Sequence, residues 1–340
     1  MSYQRIATEE AWAPAEILQK YRMLLDDPTF RDPGFRSLVG YYLGKSERAQ
    51  RVYARLSDLG ELRLHDMDES GIAKQVLSLN SPGVQVFDPA TAVALARCSN
   101  DQLAEAIRKH PDRFAGLAAV APQDPPAAAK ELERGVRSLG LKGAIINSHI
   151  MGEYLDDAKY WEIFEAAEAL DVPIYLHPSF LPQAMVAPFL DRGLDGAIYG
   201  FAVETGMHVL RIVIAGVFDR FPTLRMVIGH LGEGLPYWFF RIDFMHAGAV
   251  ASNRYPNVKK LQRKPSEYLR EHFHITTSGM AWQPPILYAQ QVMGVDRVMY
   301  AMDYPYQFVP EEVKVTDHLP IGDQDMKKLY QTNAERVFRL

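Results

Sequence analysis

An α/β fold is predicted here, a single-domain (β/α)8 TIM-type barrel with an insertion after its first strand. Three observations carry this. Eight short apolar runs alternate with eight stretches of helical apolar spacing along the whole chain. No glycine-rich phosphate loop follows an early strand, where a doubly wound open sheet would place one. The residues hardest to explain as packing, Glu9, His177, His230 and Asp303, each end an apolar run. Strand ends are where a barrel gathers its chemistry.

The first strand, RIAT at 5–8, ends on Glu9-Glu10. Residues 12–64 are polar and aromatic, with DDPTFRDPG and the helical SERAQRVYARLSDLG. That is too long for a simple βα connection and is read as an insertion over the mouth of the barrel. A helix at 61–70 is closed by Gly71. KQVLSLN (74–80) is the second strand, followed by the turn Ser81-Pro82-Gly83 and a helix at 91–109. FAGLAAV (114–120) is the third, stopped by Ala121-Pro122, with a helix at 125–139 ending before Gly140. LKGAIIN (141–147) precedes a helix at 160–170, and VPIYLH (172–177) a helix at 204–218. The sixth strand, 224–230, leads to a helix at 236–246, and the seventh, 273–278, to one at 285–293. In RVMYAMDYPYQ (297–307) the eighth strand, 298–303, is apolar until Asp303, and Pro305 forbids further regular pairing. A helix at 326–338 completes the alternation.

A chain of 340 residues suits one barrel domain. The formal charge of −5 and the lack of a Lys/Arg cluster argue against nucleic acid. No stretch approaches the roughly 18 apolar residues of a membrane span, and the N-terminus has no signal-peptide core. A single cysteine, Cys98, excludes an intramolecular disulfide and suits a reducing compartment. The cytoplasm is therefore expected, with Cys98 a core thiol in its helix.

A carboxylate at the end of a buried strand is costly unless a cation meets it. Glu9, His177 and Asp303 together offer two carboxylates and one imidazole, a set that suits Mn²⁺ or Zn²⁺ and leans towards Mn²⁺. Period-two alternation puts Glu9 inward with Ala7 and Ala11, and Glu10 on the other face with Thr8 and Trp12. His230, in GHLGEGLPYW, is a ligand, a general acid/base or a satisfied core histidine. The remaining histidines are not at clear strand tips. Lys142 starts its strand, the wrong end for a lysine bridging two metals, so one metal is expected rather than two. No Gly-x-Ser-x-Gly elbow occurs.

The motifs IATEEAW, LSLNSPGVQ, PDRFAGLAAVAPQDP, YLHPS, GHLGEGLPYWFFRID, ITTSGMAW and RVMYAMDYPYQ resemble those of the amidohydrolase superfamily. They are most similar to its metal-dependent decarboxylase branch, with the aminocarboxymuconate semialdehyde, γ-resorcylate and, nearest, 5-carboxyvanillate decarboxylases. The superfamily usually has His-x-His at the end of strand one; here Glu9-Glu10-Ala11 stands there, an arrangement the resemblance implies for the carboxyvanillate enzymes also. It further implies one Mn²⁺ held by Glu9, His177 and Asp303, with His230 close by. Arg48, Arg241 and Tyr306 match residues that hold a substrate carboxylate, and Phe201 matches the pocket wall. Arg241 is expected to reach in from a neighbouring subunit of a homo-oligomer, a dimer or tetramer. The expected activity is non-oxidative decarboxylation of 5-carboxyvanillate to vanillate in lignin-derived aromatic catabolism. Asp303 is the candidate proton donor and His230 its partner. The alternatives are a γ-resorcylate-type decarboxylase, a metal-dependent hydrolase with His230 as base, and a non-catalytic barrel that binds an aromatic acid.

Overall fold

The structure, a computed structural model, describes residues 3–340. Its strands are β1 (Ile6–Trp12), β2 (Lys74–Leu79), β3 (Phe114–Gly116), β4 (Ala118–Ala119), β5 (Ala144–Asn147), β6 (Ile174–His177), β7 (Met226–Ile228), β8 (Phe273–Thr276) and β9 (Val298–Met299). All pair in parallel with their neighbours in the order β1-β2-β3 and β4 through β9. β3 and β4 are the two halves of the expected third strand. They part at Leu117, whose N–H donates to Leu77 (2.9 Å), while the N–H of Ala118 donates to Gly143 (2.7 Å). Gly116 admits the adjacent helix: a Cβ there would meet the Leu103 side chain at 2.6 Å. The two sheets form one barrel because β1 also bonds to the chain beyond β9. Thr8 N–H donates to Tyr300 (3.1 Å) and Ala11 N–H to Tyr304 (2.7 Å).

Two strands stop short of their expected ends. The eighth is regular only over Val298–Met299, because side chains then replace ladder partners. The Thr277 hydroxyl accepts from Ala301 N–H, and the Glu10 carboxylate accepts from Met302 N–H. The sixth ends at Ile228, since His230 and Leu231 take left-handed backbone (φ 50° and 54°). The helices follow the expected alternation with shifted bounds. Pro89–Lys109 and Pro125–Leu139 begin on Asp88 and Asp124 caps, each with proline in the first turn. Gly200–Ile214 starts earlier than expected, and Leu235–Ala251 runs a turn longer. The stretch after β1 carries helices Ala15–Asp26, Pro33–Tyr42 and Glu47–Ser57. No helix among the described residues is long and apolar enough to cross a membrane.

Packing follows the period of two. Ile6, Val76, Ala115, Ile145, Tyr175, Val227 and Met299 belong to one buried cluster. Their chain neighbours Leu77, Ala144, Ile146, Leu176, Met226, Ile228 and Val298 belong to another, which packs on the helices. The first set is the barrel's interior, and His274 of β8, in register with Val227, fills the seventh strand's place in it. The interior cluster continues into Phe35, Val39 and Tyr42, which fastens the helix Pro33–Tyr42 to the same core. Each such aliphatic side chain contributes roughly 1.5–3 kcal/mol on full burial.

Candidate active site

β1 slips register at its tip. Ala7 pairs with Gln75 and Glu10 with Leu77, so Thr8 and Glu9 together oppose the single residue Val76. Strict alternation is broken there, and both glutamates are buried, 3% and 0% exposed. Glu9 Oε2 accepts from the Thr276 hydroxyl (2.8 Å) and from Tyr175 through a short hydrogen bond. Its Oε1 is buried with no hydrogen-bond partner among the described residues. That oxygen lies 3.3 Å from His177 Nε2 and 3.6 Å from His230 Nε2. Gly229 makes room for it, since a Cβ there would come within 2.5 Å of the carboxylate. Burial pushes Glu9 up, but the facing His230 and His177, with Tyr175, hold it at about 2.

Glu10 stands behind the metal-donor residues, with Arg63 of the helix Glu61–Glu69 among the charges that act on it. The slip turns its carboxylate onto the N–H groups of Met302 (3.0 Å) and Tyr304 (3.3 Å), on either side of Asp303. Asp303 thereby sits in a braced turn with left-handed backbone, φ 73°. Burial raises Asp303 to about 7, with His230 pulling it down and Glu9 pushing it up.

The two histidines are held differently. His177 Nδ1 donates to the Pro178 carbonyl (2.7 Å), which leaves the Nε2 lone pair facing Glu9, the tautomer a metal ligand needs. His230 Nδ1 pairs with the Glu233 carboxylate at 2.6 Å. Burial lowers His230, but Glu233 and Glu9 outweigh it and raise the imidazole to about 10. Donor atoms of Glu9, His230 and Asp303 all lie within 4.8 Å of one another. That group includes His230, and His177 stands beside it, nearer still to Glu9. An unpartnered carboxylate oxygen ringed by imidazole nitrogens and a second carboxylate fits one divalent cation of the Mn²⁺ or Zn²⁺ kind. A second group of possible donors, His65, Asp66 and Glu69, is less apt. Its Asp66 already accepts from Arg55 (2.7 Å) and the Tyr304 hydroxyl (2.8 Å).

His177, His230 and Asp303 open into a cavity of about 510 Å³, whose wall includes Phe201, Tyr306, Ser81 and Arg48. Arg48 donates to the Tyr306 carbonyl (3.3 Å) and lies over the Tyr41 ring at 5.9 Å. The Tyr306 hydroxyl donates to Asn80 Oδ1 (2.6 Å). Arg241 does not line this cavity. It is exposed on Leu235–Ala251, a helix that also exposes Tyr237 (73%), Phe240 (84%) and Phe244 (69%), while Phe239 is buried. A second cavity, about 690 Å³, lies between Phe30, Gln85, His149 and Met185, apart from the metal-donor groups. Sequence reasoning missed Tyr175, Thr276, Glu233 and Asn80. Tyr175 was within reach, two residues before His177 and so on the same inward row. Glu233 was also within reach, three residues after His230.

The amidohydrolase family profile matches residues 58–340. Gamma-resorcylate decarboxylase of Polaromonas sp. (strain JS666 / ATCC BAA-500) is 39% identical over 296 residues, covering 84% of this chain and 89% of the relative. Among solved structures, 5-carboxyvanillate decarboxylase from Novosphingobium aromaticivorans DSM 12444 is complexed with manganese and 4-hydroxy-3-methoxy-5-nitrobenzoic acid. It matches with a TM-score of 0.98 at 51% identity, over 100% of this chain and 97% of that one. The 5-carboxyvanillate decarboxylase of Sphingomonas paucimobilis matches with a TM-score of 0.94 at 39% identity, over 100% of both chains. With a barrel of this closure and likeness along nearly all of its length, the chain belongs to the amidohydrolase family.

Proposed function

We propose that this chain is a metal-dependent carboxy-lyase that converts 5-carboxyvanillate to vanillate and CO₂ without oxidation. The observation that carries this is whole-chain likeness to a decarboxylase crystallised with manganese and 4-hydroxy-3-methoxy-5-nitrobenzoic acid. That ligand is 5-carboxyvanillate with a nitro group in place of the carboxylate beside the phenol. The cavity supplies what such a molecule needs: metal donors at one end, an aromatic wall at Phe201 and Tyr306, and an arginine at Arg48.

Glu9, His177 and Asp303 would hold one divalent ion, manganese by preference, which would supply Lewis-acid chemistry at the phenol end of the substrate. Direct loss of CO₂ would leave an aryl carbanion, a prohibitively strong base. Protonating the ring first avoids it. Asp303 delivers a proton to the ring carbon that bears the carboxylate. A π pair of the ring forms the new C–H bond. The C–CO₂ bond then breaks, its electron pair returns to the ring, and aromaticity is restored as CO₂ leaves. His230, oriented by Glu233, returns a proton to Asp303 for the next turnover. Arg48 and, from a second copy of the chain, Arg241 clamp the carboxylate para to the phenol, a task suited to a planar fork of donors. The exposed rings beside Arg241 support a homo-oligomer. A cytoplasmic place in lignin-derived aromatic catabolism fits the substrate and the single cysteine.

The curated relatives favour a second substrate, γ-resorcylate, which has no para carboxylate for Arg48 to meet. Manganese-reconstituted protein assayed for CO₂ with 5-carboxyvanillate, γ-resorcylate and salicylate side by side decides between them. The expected order has 5-carboxyvanillate first. Turnover of γ-resorcylate alone would replace the first substrate with the second.

A further inference from the structure

The turn after β2 holds an unused hydroxyl on a residue that lines the active-site cavity. Ser81 lines that cavity, is 7% exposed, and its Oγ is buried with no hydrogen-bond partner among the described residues. Its carbonyl oxygen is already engaged, accepting from the Tyr42 hydroxyl (3.2 Å) and the Asn80 amide (2.6 Å). The hydroxyl is thus the polar group of its side chain left without a partner among the described residues. Its neighbours on this wall are engaged as well. Asn80 Oδ1 takes the Tyr306 hydroxyl, and the Tyr42 ring meets the Tyr306 ring edge-on at 6.2 Å. A fold does not keep a buried hydroxyl idle without cost, and one on a cavity-lining residue can turn about its single side-chain bond to meet a ligand.

We propose that Ser81 is a substrate-binding residue whose hydroxyl donates to an oxygen on a ring substituent adjacent to the phenol. This rests on the decarboxylation of an ortho-hydroxybenzoate proposed above. Depth selects the end of the substrate. Arg48 is exposed, whereas Ser81 is buried, and we set Ser81 at the end away from Arg48, where His177, His230 and Asp303 meet the cavity. The phenolic oxygen faces the metal donors there, which leaves the two substituents flanking it. One is the departing carboxylate and the other the methoxy ether. Both accept a hydrogen bond.

The test compares Ser81→Ala and Ser81→Thr with the wild type, all manganese-loaded. Three readouts are taken: kcat/KM, the Kd for 4-hydroxy-3-methoxy-5-nitrobenzoic acid by calorimetry, and the urea midpoint. Rates are measured on 5-carboxyvanillate and on 4-hydroxybenzene-1,3-dicarboxylate, which lacks the methoxy group. Ser81→Ala is expected to lower kcat/KM about tenfold, the worth of one hydrogen bond. Ser81→Thr should recover most of that. The urea midpoint should not fall, because the hydroxyl holds no protein group in place. Loss on both substrates assigns the bond to the carboxylate; loss on the methoxy substrate alone assigns it to the ether. Ser81→Ala rates and affinity within about twofold of wild type overturn the proposal. So does a loss that tracks a lowered urea midpoint and is not rescued by threonine. The wild-type rate is read in the same assay, so failure of the decarboxylation itself shows separately, and calorimetry still reads the Ser81 contact.

Discussion

In the proposed reaction Asp303 would have two tasks, ligand and acid. The backbone is braced by Glu10 on either side, and the carboxyl is pushed to about 7 by burial. An amide there keeps the shape and an oxygen donor but has no proton to give. Asp303→Asn should therefore lose about 10²–10⁴ in kcat at saturating manganese, the usual worth of general acid catalysis. Activity near wild type under those conditions would remove Asp303 as the donor. His230→Asn should retain one ion per chain by elemental analysis yet lose most of kcat. If the ion goes with it, His230 rather than His177 is the nitrogen ligand. Glu9 and Asp303 were legible as candidates in the sequence because a charge ending an apolar run has no packing explanation, and the structure brings their donor atoms within 4.8 Å of one another. Ser81 was not, since a hydroxyl in a Ser-Pro-Gly turn is ordinary and only the cavity makes it unusual.

The elements show where pattern reasoning holds and where it fails. The interior row, from Val76 through Tyr175 to Val227, follows period two, but that period could not foresee the slip in β1. A bulge adds one residue without changing composition, and here it brings Glu10 under Asp303. The helix Gly200–Ile214 carries another feature no periodicity reports, a glutamate on its buried face. Glu204 is 0% exposed and accepts from the Ser148 hydroxyl at 2.6 and 2.8 Å. The same hydroxyl lies 3.1 Å from His208 Nδ1. Burial raises Glu204 from 4.5 to about 7, with Ser148 opposing and the nearby Glu233 adding to the rise. Between those values the folded state keeps a proton that the unfolded chain has released. The extra stability is thus complete below pH 4.5 and gone above about 7, on the order of 3 kcal/mol in all. Urea unfolding at pH 5 and pH 8 should show this fall in the wild type and a shallower one in Glu204→Gln. Equal falls in both would mean that Glu204 ionises as readily when folded as when unfolded.

At the scale of the whole molecule, the exposed rings of Tyr237, Trp238, Phe240 and Phe244 on one helix are more apolar surface than a lone barrel needs to show. Aromatics with arginine are the composition of an interface. Arg241→Ala should raise KM for the dicarboxylate far more than for an analogue without the para carboxylate. Mixing Arg241→Ala chains with Asp303→Ala chains should restore some activity, because one site of the hybrid keeps its metal donors and receives its partner's arginine. Hybrids confirmed by mass but inactive would show that Arg241 serves its own subunit or none. The barrel's closure has a further consequence. A barrel is a hoop cut once, and here Thr8 and Ala11 meet Tyr300 and Tyr304 across the cut. Glu9 and Asp303 stand on opposite sides of it, so an ion shared between them is also a clasp joining the first strand to the last. Manganese at about 100 times its Kd should then add roughly 2.7 kcal/mol and slow hydrogen exchange at the Thr8 and Ala11 amides. Exchange there that ignores bound manganese would mean that the hoop stays shut by itself. If the clasp is real, the stripped enzyme comes apart first where its two ends meet, and the ion that serves the chemistry also keeps the circle whole.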